Sequence, residues 1–338
     1  MLFIVWGCLY LYRLRLYPLT VTVMRSGNFS PPIFYFGIVR VEIRVFFLVT
    51  KKNLLMMKNV HMAISVAGSD SSGGAGVQAD LKTMSALGVF GTTCITAITC
   101  QNTMGVYDIL PLPQSIIRGQ IDAVLKDLPI KAMKIGMLYS DDVVEAVAES
   151  IVSNNFKGEI ILDPVMIATS GNSLSSHSLK DAMIKHLFPI ASLVTPNLHE
   201  AEMLSGAGRI KNEDDMRRVA EIIVGLGAKA VLIKGGHLQG RKLKNVLLQN
   251  QNGEMIFSEI VSEKVDSKNT HGTGCTLSSA IASYCSIGCS IKEAVEKATI
   301  FVHDAVENAK DVFLGQGHGA LNHFYNPQKL IIDESICE

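Results

Sequence analysis

From Ala63 onward, short apolar runs, often β-branched, alternate with longer stretches whose apolar positions recur every three or four residues. The short runs predict strands at 63–68 (AISVAG), 93–99 (TCITAIT), 132–138, 159–166, 191–197 and 228–236. The longer stretches predict helices, among them 113–128, 140–154 and 212–227. Ser140, followed by Asp141 and Asp142, offers a capping hydroxyl and then acids at the positive end of the helix dipole. Gly227 stands where a helix should end. Strands that are apolar along nearly their whole length and separated by helices imply a mostly parallel sheet covered on both faces. One segment differs: 245–260 holds two strand patterns around Asn252-Gly253, a hairpin signal. Final helices are expected over about 275–287 and 290–309. No repeat, low-complexity stretch or linker divides 62–330, which reads as one α/β domain.

The first 61 residues follow no such pattern. Their opening apolar run, MLFIVWGCLYLYRLRLYPL, is interrupted before it reaches the roughly 20 residues that span a bilayer. It lacks the basic leader and small-residue cleavage site of a signal peptide. Met56, Met57 and Met62 stand just before the clean strand pattern. The preferred reading of 1–61 is an extension, non-native or disordered, upstream of a start at Met62; an irregular membrane-associating leader is the competing one. This stretch holds eight of the 31 basic side chains and one of the 31 acids, so the remainder carries a net charge of −7. That balance argues against nucleic acid or an anionic membrane as partner. The seven cysteines include no C-x-x-C pair, and most sit in apolar runs, which suits a reducing cytoplasm.

Ligands bind at the carboxyl ends of the strands of an open parallel sheet. The residues there, GSDSSGGAG, CQNT, GM, DPVM, TPN and KGGH, are dense in Gly, Asp, Asn and Gln. Gly74-x-Gly76-x-x-Ala79 matches a dinucleotide fingerprint in isolation. The acid required roughly 20 residues later is missing from TCITAITCQN, so a nicotinamide enzyme is disfavoured. No G-x-x-x-x-G-K-[ST] occurs either, which excludes a P-loop. Gly73 and Gly74 are equally explained by a tight turn. The second glycine loop, NTHGTGCTLSSAIASYCS (269–286), is the stronger signal. Gly272, Thr273 and Gly274 bring successive amides to the start of a helix, an anion hole suited to phosphate. Cys275 falls in the first turn, where a helix terminus favours thiolate, although a buried filler like Cys285 would also fit. His271 is either a phosphate contact or a loop residue.

Seven motifs in order, from VAGSDSSGGAGVQADLKTMSALGVFG through TAITCQNTMGV, KIGML, LDPVM, TPNLHEAEML and LIKGGH to NTHGTGCTLSSAIA, closely resemble the hydroxymethylpyrimidine/phosphomethylpyrimidine kinase family of thiamine biosynthesis. That family lies within the ribokinase-like superfamily, and the resemblance spans about 62–325, including the tail GQGHGALNHF. It implies a ribokinase-like α/β kinase domain over 62–330, with ATP and Mg²⁺, acting on a small pyrimidine as a homodimer. Gln101 would hydrogen-bond the aminopyrimidine, its amide matching a ring nitrogen beside an exocyclic amine. Asp80, Gly68, Met137 and Val165 would complete the pocket; without the resemblance Asp80 reads as a solvated helix position. Cys275 stands where sugar kinases of the superfamily place an aspartate base. Asn197 and Glu200 would organise Mg²⁺ through water, and Lys234 would meet ATP phosphate. Thr169 and Gln316 depart from the family, where lysine is common. The alternatives are a pyridoxal kinase of the same fold, disfavoured by Gln101 and Met137, and a non-catalytic binding protein, disfavoured by the intact loop.

Overall fold

The computed structural model describes residues 59–166, 177–236, 241–251 and 253–333. Thr169 and Asn252 lie outside the described residues. The elements in chain order are β1 (Asn59–Val60), β2 (Met62–Asp70), α1 (Gly76–Ala86), β3 (Phe90–Asn102), β4 (Gly105–Pro111), α2 (Gln114–Asp127), β5 (Ala132–Ile135) and α3 (Asp141–Ser153). Then come β6 (Glu159–Leu162), α4 (His177–Ala182) running into a π-helical turn (Met183–Leu187), β7 (Leu193–Val194), α5 (Leu198–Ser205), α6 (Glu213–Gly225) and β8 (Ala230–Ile233). The hairpin β9 (Lys242–Gln251) and β10 (Glu254–Glu263), helices α7 (Thr273–Ser286) and α8 (Ile291–Glu307), and β11 (Ile332–Asp333) complete the chain.

Nine strands form one sheet in the order β10-β9-β8-β7-β6-β5-β2-β3-β4. The pairs from β8 through β7, β6, β5 and β2 to β3 are parallel, while β4, β9 and β10 pair antiparallel. The order reverses at β2, which has β3 on one side and β5 on the other, so a crevice opens at the carboxyl ends of β2 and β5. Alternation along the strands divides the interior into two cores. Ile64, Val66, Met133, Ile135, Ile160 and Leu162 belong to one, under α2, α3, α5 and α6. Ala63, Ala132, Ile161, Leu193 and Leu232 belong to the other, with Ala280, Ile281 and Ala282 of α7 and Ala294, Val295 and Ala298 of α8. Small residues on this second face let α7 lie close to the sheet.

The predicted caps are present. Ser140 Oγ accepts from Val143 N, and Gly227 follows α6 with φ +114°. The strands expected at 132–138, 159–166 and 228–236 shorten to Ala132–Ile135, Glu159–Leu162 and Ala230–Ile233, and two further elements differ more. The strand expected at 93–99 runs from 90 to 102 and turns directly into an antiparallel partner, β4, which apolar patterning missed. The strand expected at 191–197 shrinks to Leu193–Val194; Thr195 to Asn197 keep single bonds to Leu162 and Lys234 on either side, and Asn197 already caps α5. β1 pairs with β11, so the chain on both sides of 62–330 joins the body in a small antiparallel ribbon. Among the described residues, no helix is long and apolar enough to cross a membrane.

Candidate active site

The carboxyl ends of β2, β3, β5, β6, β7 and β8 and the start of α7 surround one cavity of about 740 Å³. Of the residues singled out in the sequence, Gly68, Gln101, Met137, Val165, Asn197, Glu200, Lys234, Gly272, Thr273, Gly274 and Cys275 all line it. Asp80 does not. It is fully buried on the inner face of α1, where its carboxylate accepts from Lys134 Nζ at 2.7 and 3.0 Å and from Ser65 Oγ at 2.5 Å. It is therefore neither a pocket residue nor a solvated helix position. Gln316 is exposed and stands outside the cavity lining.

The two glycine loops interlock. Asp70, at the end of β2, turns its carboxylate onto its own loop. It accepts from Ser72 N (2.8 Å), Ser72 Oγ (2.7 Å), Gly74 N (3.1 Å) and Ala75 N (2.8 Å). The amides of Ser72, Gly74 and Ala75 are thus taken by Asp70 and that of Gly73 by the Asp70 carbonyl. Burial works against the charge on Asp70, but His271 and these donors hold its carboxyl well below the usual carboxylate range. The second loop sits on the first. A Cβ at Gly272, whose φ is +83°, would overlap the Gly74 carbonyl, and one at Gly74 would overlap the His271 ring. Gly272→Ala combines that overlap with a left-handed backbone, which alone costs roughly 1–2 kcal/mol. The variant is expected to lose more than that in urea unfolding, together with nucleotide affinity; wild-type stability would refute the interlock.

The first turn of α7 leaves amides over. Thr273 N bonds back to Thr270 O (3.3 Å) and Thr276 N reaches Gly272 O (2.8 Å). Gly274 and Cys275, between them, belong to the turn whose N–H groups have no partner inside a helix. Asp163, at the end of β6, accepts from Lys234 Nζ (2.8 Å) and Thr195 Oγ1 (3.2 Å). A Cβ at Gly274 would stand 3.4 Å from both Asp163 Oδ2 and Lys234 Nζ, so the loop amides and the lysine share one region. Burial opposes the charge on Lys234, yet Asp163 and Glu200 raise its pKa and keep it an ammonium. Asn197 and Glu200 form a capping box on α5: Asn197 Oδ1 accepts from Glu200 N (2.9 Å) and Glu200 Oε2 from Asn197 N (2.8 Å). Burial pushes the Glu200 carboxyl up to about 7, with Lys234 pulling against it and Asp163 adding to it.

At Cys275 the outcome departs from the local expectation. Burial raises its thiol pKa more than Lys134 lowers it, and Asp80 and Asp163 add to the rise. The resting residue is a thiol, because desolvation by the whole fold outweighs one helix terminus. Lys134 is the cation beneath it. It is completely buried on β5, and although burial works against its charge, Asp80, Cys275 and Asp163 raise its pKa above the usual lysine range. The sequence reading placed Lys134 inside a strand without a role, and gave none to Asp163 or Asp70. The available signals are an acid closing an apolar strand, for Asp70 and Asp163, and a lysine within one, for Lys134.

A family model described as phosphomethylpyrimidine kinase matches residues 70–322. A hydroxymethylpyrimidine/phosphomethylpyrimidine kinase of Rhizobium meliloti is 44% identical over 264 residues, covering 78% of this chain and 97% of the relative. Among solved structures, a phosphomethylpyrimidine kinase of Clostridium difficile is 44% identical with TM-score 0.63, over 72% of this chain and 99% of its own. The ADP complex of Bacillus subtilis pyridoxal kinase superposes with TM-score 0.71 at 37% identity, over 78% of this chain and 98% of its own.

Proposed function

This chain belongs to the phosphomethylpyrimidine kinase family, and on that premise we propose that it phosphorylates 4-amino-5-hydroxymethyl-2-methylpyrimidine with ATP, and then its monophosphate to the diphosphate. The observation that carries the reading is the sharing of one cavity by a glutamine-bearing pocket and a phosphate cradle of loop amides and Lys234. In the first step the hydroxymethyl oxygen attacks the terminal phosphorus of ATP. The bond from that phosphorus to the bridging oxygen breaks, ADP leaves, and the hydroxyl proton passes to the thiolate form of Cys275, the minor fraction present near neutrality, which it returns to the resting thiol. The Gly274 and Cys275 amides and Lys234 take up the charge on the transferring group. In the second step the attacking oxygen is already anionic, so the thiol need accept nothing. Gln101 and Met137 occupy the ring end of the cavity, with Gly68 admitting Met137: a Cβ there would overlap the Met137 methyl group.

The donor set suits Mg²⁺ held through water. Two carboxylates, Asp163 and Glu200, both act on Lys234, and the raised Glu200 carboxyl is one whose charge an incoming cation would favour. Glu200, fixed by Asn197, would hold the hydrated ion, and the ion when bound supplies charge neutralisation along the ATP phosphates. Turnover is tested by ADP release from Mg·ATP with hydroxymethylpyrimidine, its monophosphate and pyridoxal supplied separately. Both pyrimidines should turn over, with pyridoxal a poor substrate. Turnover on pyridoxal alone would move the activity to that of the Bacillus subtilis neighbour.

A further inference from the structure

Residues of three separate chain segments meet at the ring end of the cavity. His271 Nε2 stands 2.8 Å from Asp70 Oδ2, and both residues are buried. One end of the Gln101 amide lies 3.2 Å from the same His271 nitrogen, and the other lies 3.1 Å from Thr99 Oγ1. Thr99 Oγ1 is also 2.9 Å from Ser69 O, a carbonyl that can only accept. The ring of His271 occupies the space that a side chain at Gly74 would fill, so the first glycine loop is built around it.

Counting hydrogens decides how the amide is turned. Asp70 is a carboxylate, an acceptor only, so His271 Nε2 must carry the hydrogen that lies between them. That nitrogen then has no lone pair to offer, and an amide NH₂ beside it would be a donor facing a donor. The amide end at His271 is therefore the carbonyl oxygen, sharing the imidazole hydrogen. The NH₂ end faces Thr99 Oγ1, which accepts from it while giving its own hydrogen to Ser69 O. Every group then has a complementary partner. One N–H and one oxygen lone pair of Gln101 remain, in an order that cannot reverse without breaking the chain.

We propose that Asp70 and His271 are a positioning pair that locks the Gln101 amide in the single orientation able to read a ring nitrogen beside an exocyclic amine. This rests on the reading of Gln101 as the ring contact. A 4-aminopyrimidine offers an acceptor and a donor side by side, and a locked amide meets them in the right order without first being ordered by the ligand. A flipped amide would set donor against donor and acceptor against acceptor. Specificity for the aminopyrimidine edge thus comes from residues that do not themselves touch the ring. Leaving buried polar groups mispaired is what makes such discrimination steep.

The test is a double-mutant cycle on the full chain with Gln101→Ala, His271→Leu and both together. It reads KM and kcat for hydroxymethylpyrimidine, and KM for ATP as an internal control. His271→Leu should raise the pyrimidine KM about tenfold or more, an effect of about 1.4 kcal/mol, and by a clearly larger factor than it raises the ATP KM. The double variant should be no worse than Gln101→Ala. His271→Gln, whose NH₂ has a hydrogen for Asp70 and another for Gln101, should recover most of the loss. A weakened Gln101→Ala combined with an unweakened His271→Leu, or with losses that add in full, overturns the positioning role and leaves the ring contact standing. An unaltered pyrimidine KM in Gln101→Ala overturns the ring contact itself and this inference with it. If the leucine variant does not fold, His271→Asn, too short to reach Gln101, takes its place in the cycle with the same expected and refuting outcomes.

Discussion

Cys275→Ala is expected to slow phosphorylation of hydroxymethylpyrimidine by about 10²–10⁴-fold, the usual worth of a positioned proton acceptor, while phosphorylation of the monophosphate falls by no more than about tenfold. The two steps share phosphate cradle, lysine and leaving group; they differ in whether the nucleophile carries a proton. Burial holds the Cys275 pKa above that of an ordinary thiol, so only a minor fraction is thiolate near neutrality, and that fraction grows as pH rises. For the first step kcat/KM should therefore climb with pH between about 7 and 9, the thiolate being the competent form. The second step should rise less over the same window, showing only the titration of Glu200 near 7 that both steps share. A neutral thiol also leaves the cavity without an added negative charge against the incoming monophosphate. Equal loss of both activities in Cys275→Ala, or parallel pH profiles, would remove Cys275 as the proton acceptor.

The largest effect on stability belongs to the buried pair beneath that thiol. Asp80→Ala leaves the Lys134 ammonium, completely enclosed, without its two short carboxylate contacts. Breaking one side of a buried ion pair costs about 3–5 kcal/mol, a large part of the stability of an ordinary domain. The urea midpoint of Asp80→Ala should fall accordingly. Asp80→Leu combined with Lys134→Met, which removes both charges, should recover much of the loss. If Asp80 instead contacted the pyrimidine, as the family resemblance had it, the variant would fold normally and bind the pyrimidine weakly. Wild-type unfolding with a raised pyrimidine KM would establish the pocket role that the resemblance implies.

What the sequence carried was whatever depends on neighbours along the chain. The parallel strands were legible because burial on both faces makes them continuously apolar, as in Ala132–Ile135, and the caps because Ser140 lies three residues from the amide it bonds. β4 was not, because its edge position leaves Tyr107 and Leu110 exposed and strips the segment of periodicity. Gly272, Gly274 and Cys275 stand out as a flexible loop opening a helix, and Lys234 as a charge ending an apolar strand. The partnerships do not: Asp80 and Lys134 are 54 positions apart, and Asp70 and His271 are 201 apart. The thiolate expected at Cys275 failed for the same reason, since a helix terminus is local and desolvation belongs to the assembled fold.

The seating of Gly272 on Gly74 also sets the order in which the molecule becomes competent. Closing a loop of some 200 residues adds little entropy beyond that of a shorter one, but contacts so distant in sequence form slowly and late. A nascent chain that has emerged just past β8, as far as Lys234, already holds every parallel strand of the sheet, and with them Gln101, Met137, Asp163 and Lys234. It still lacks the imidazole that orders the first glycine loop and the amides that receive phosphate. Ligand binding then reports the docking of α7, and a chain stalled before it carries its ring-binding strands with one face of the sheet uncovered and no catalytic life.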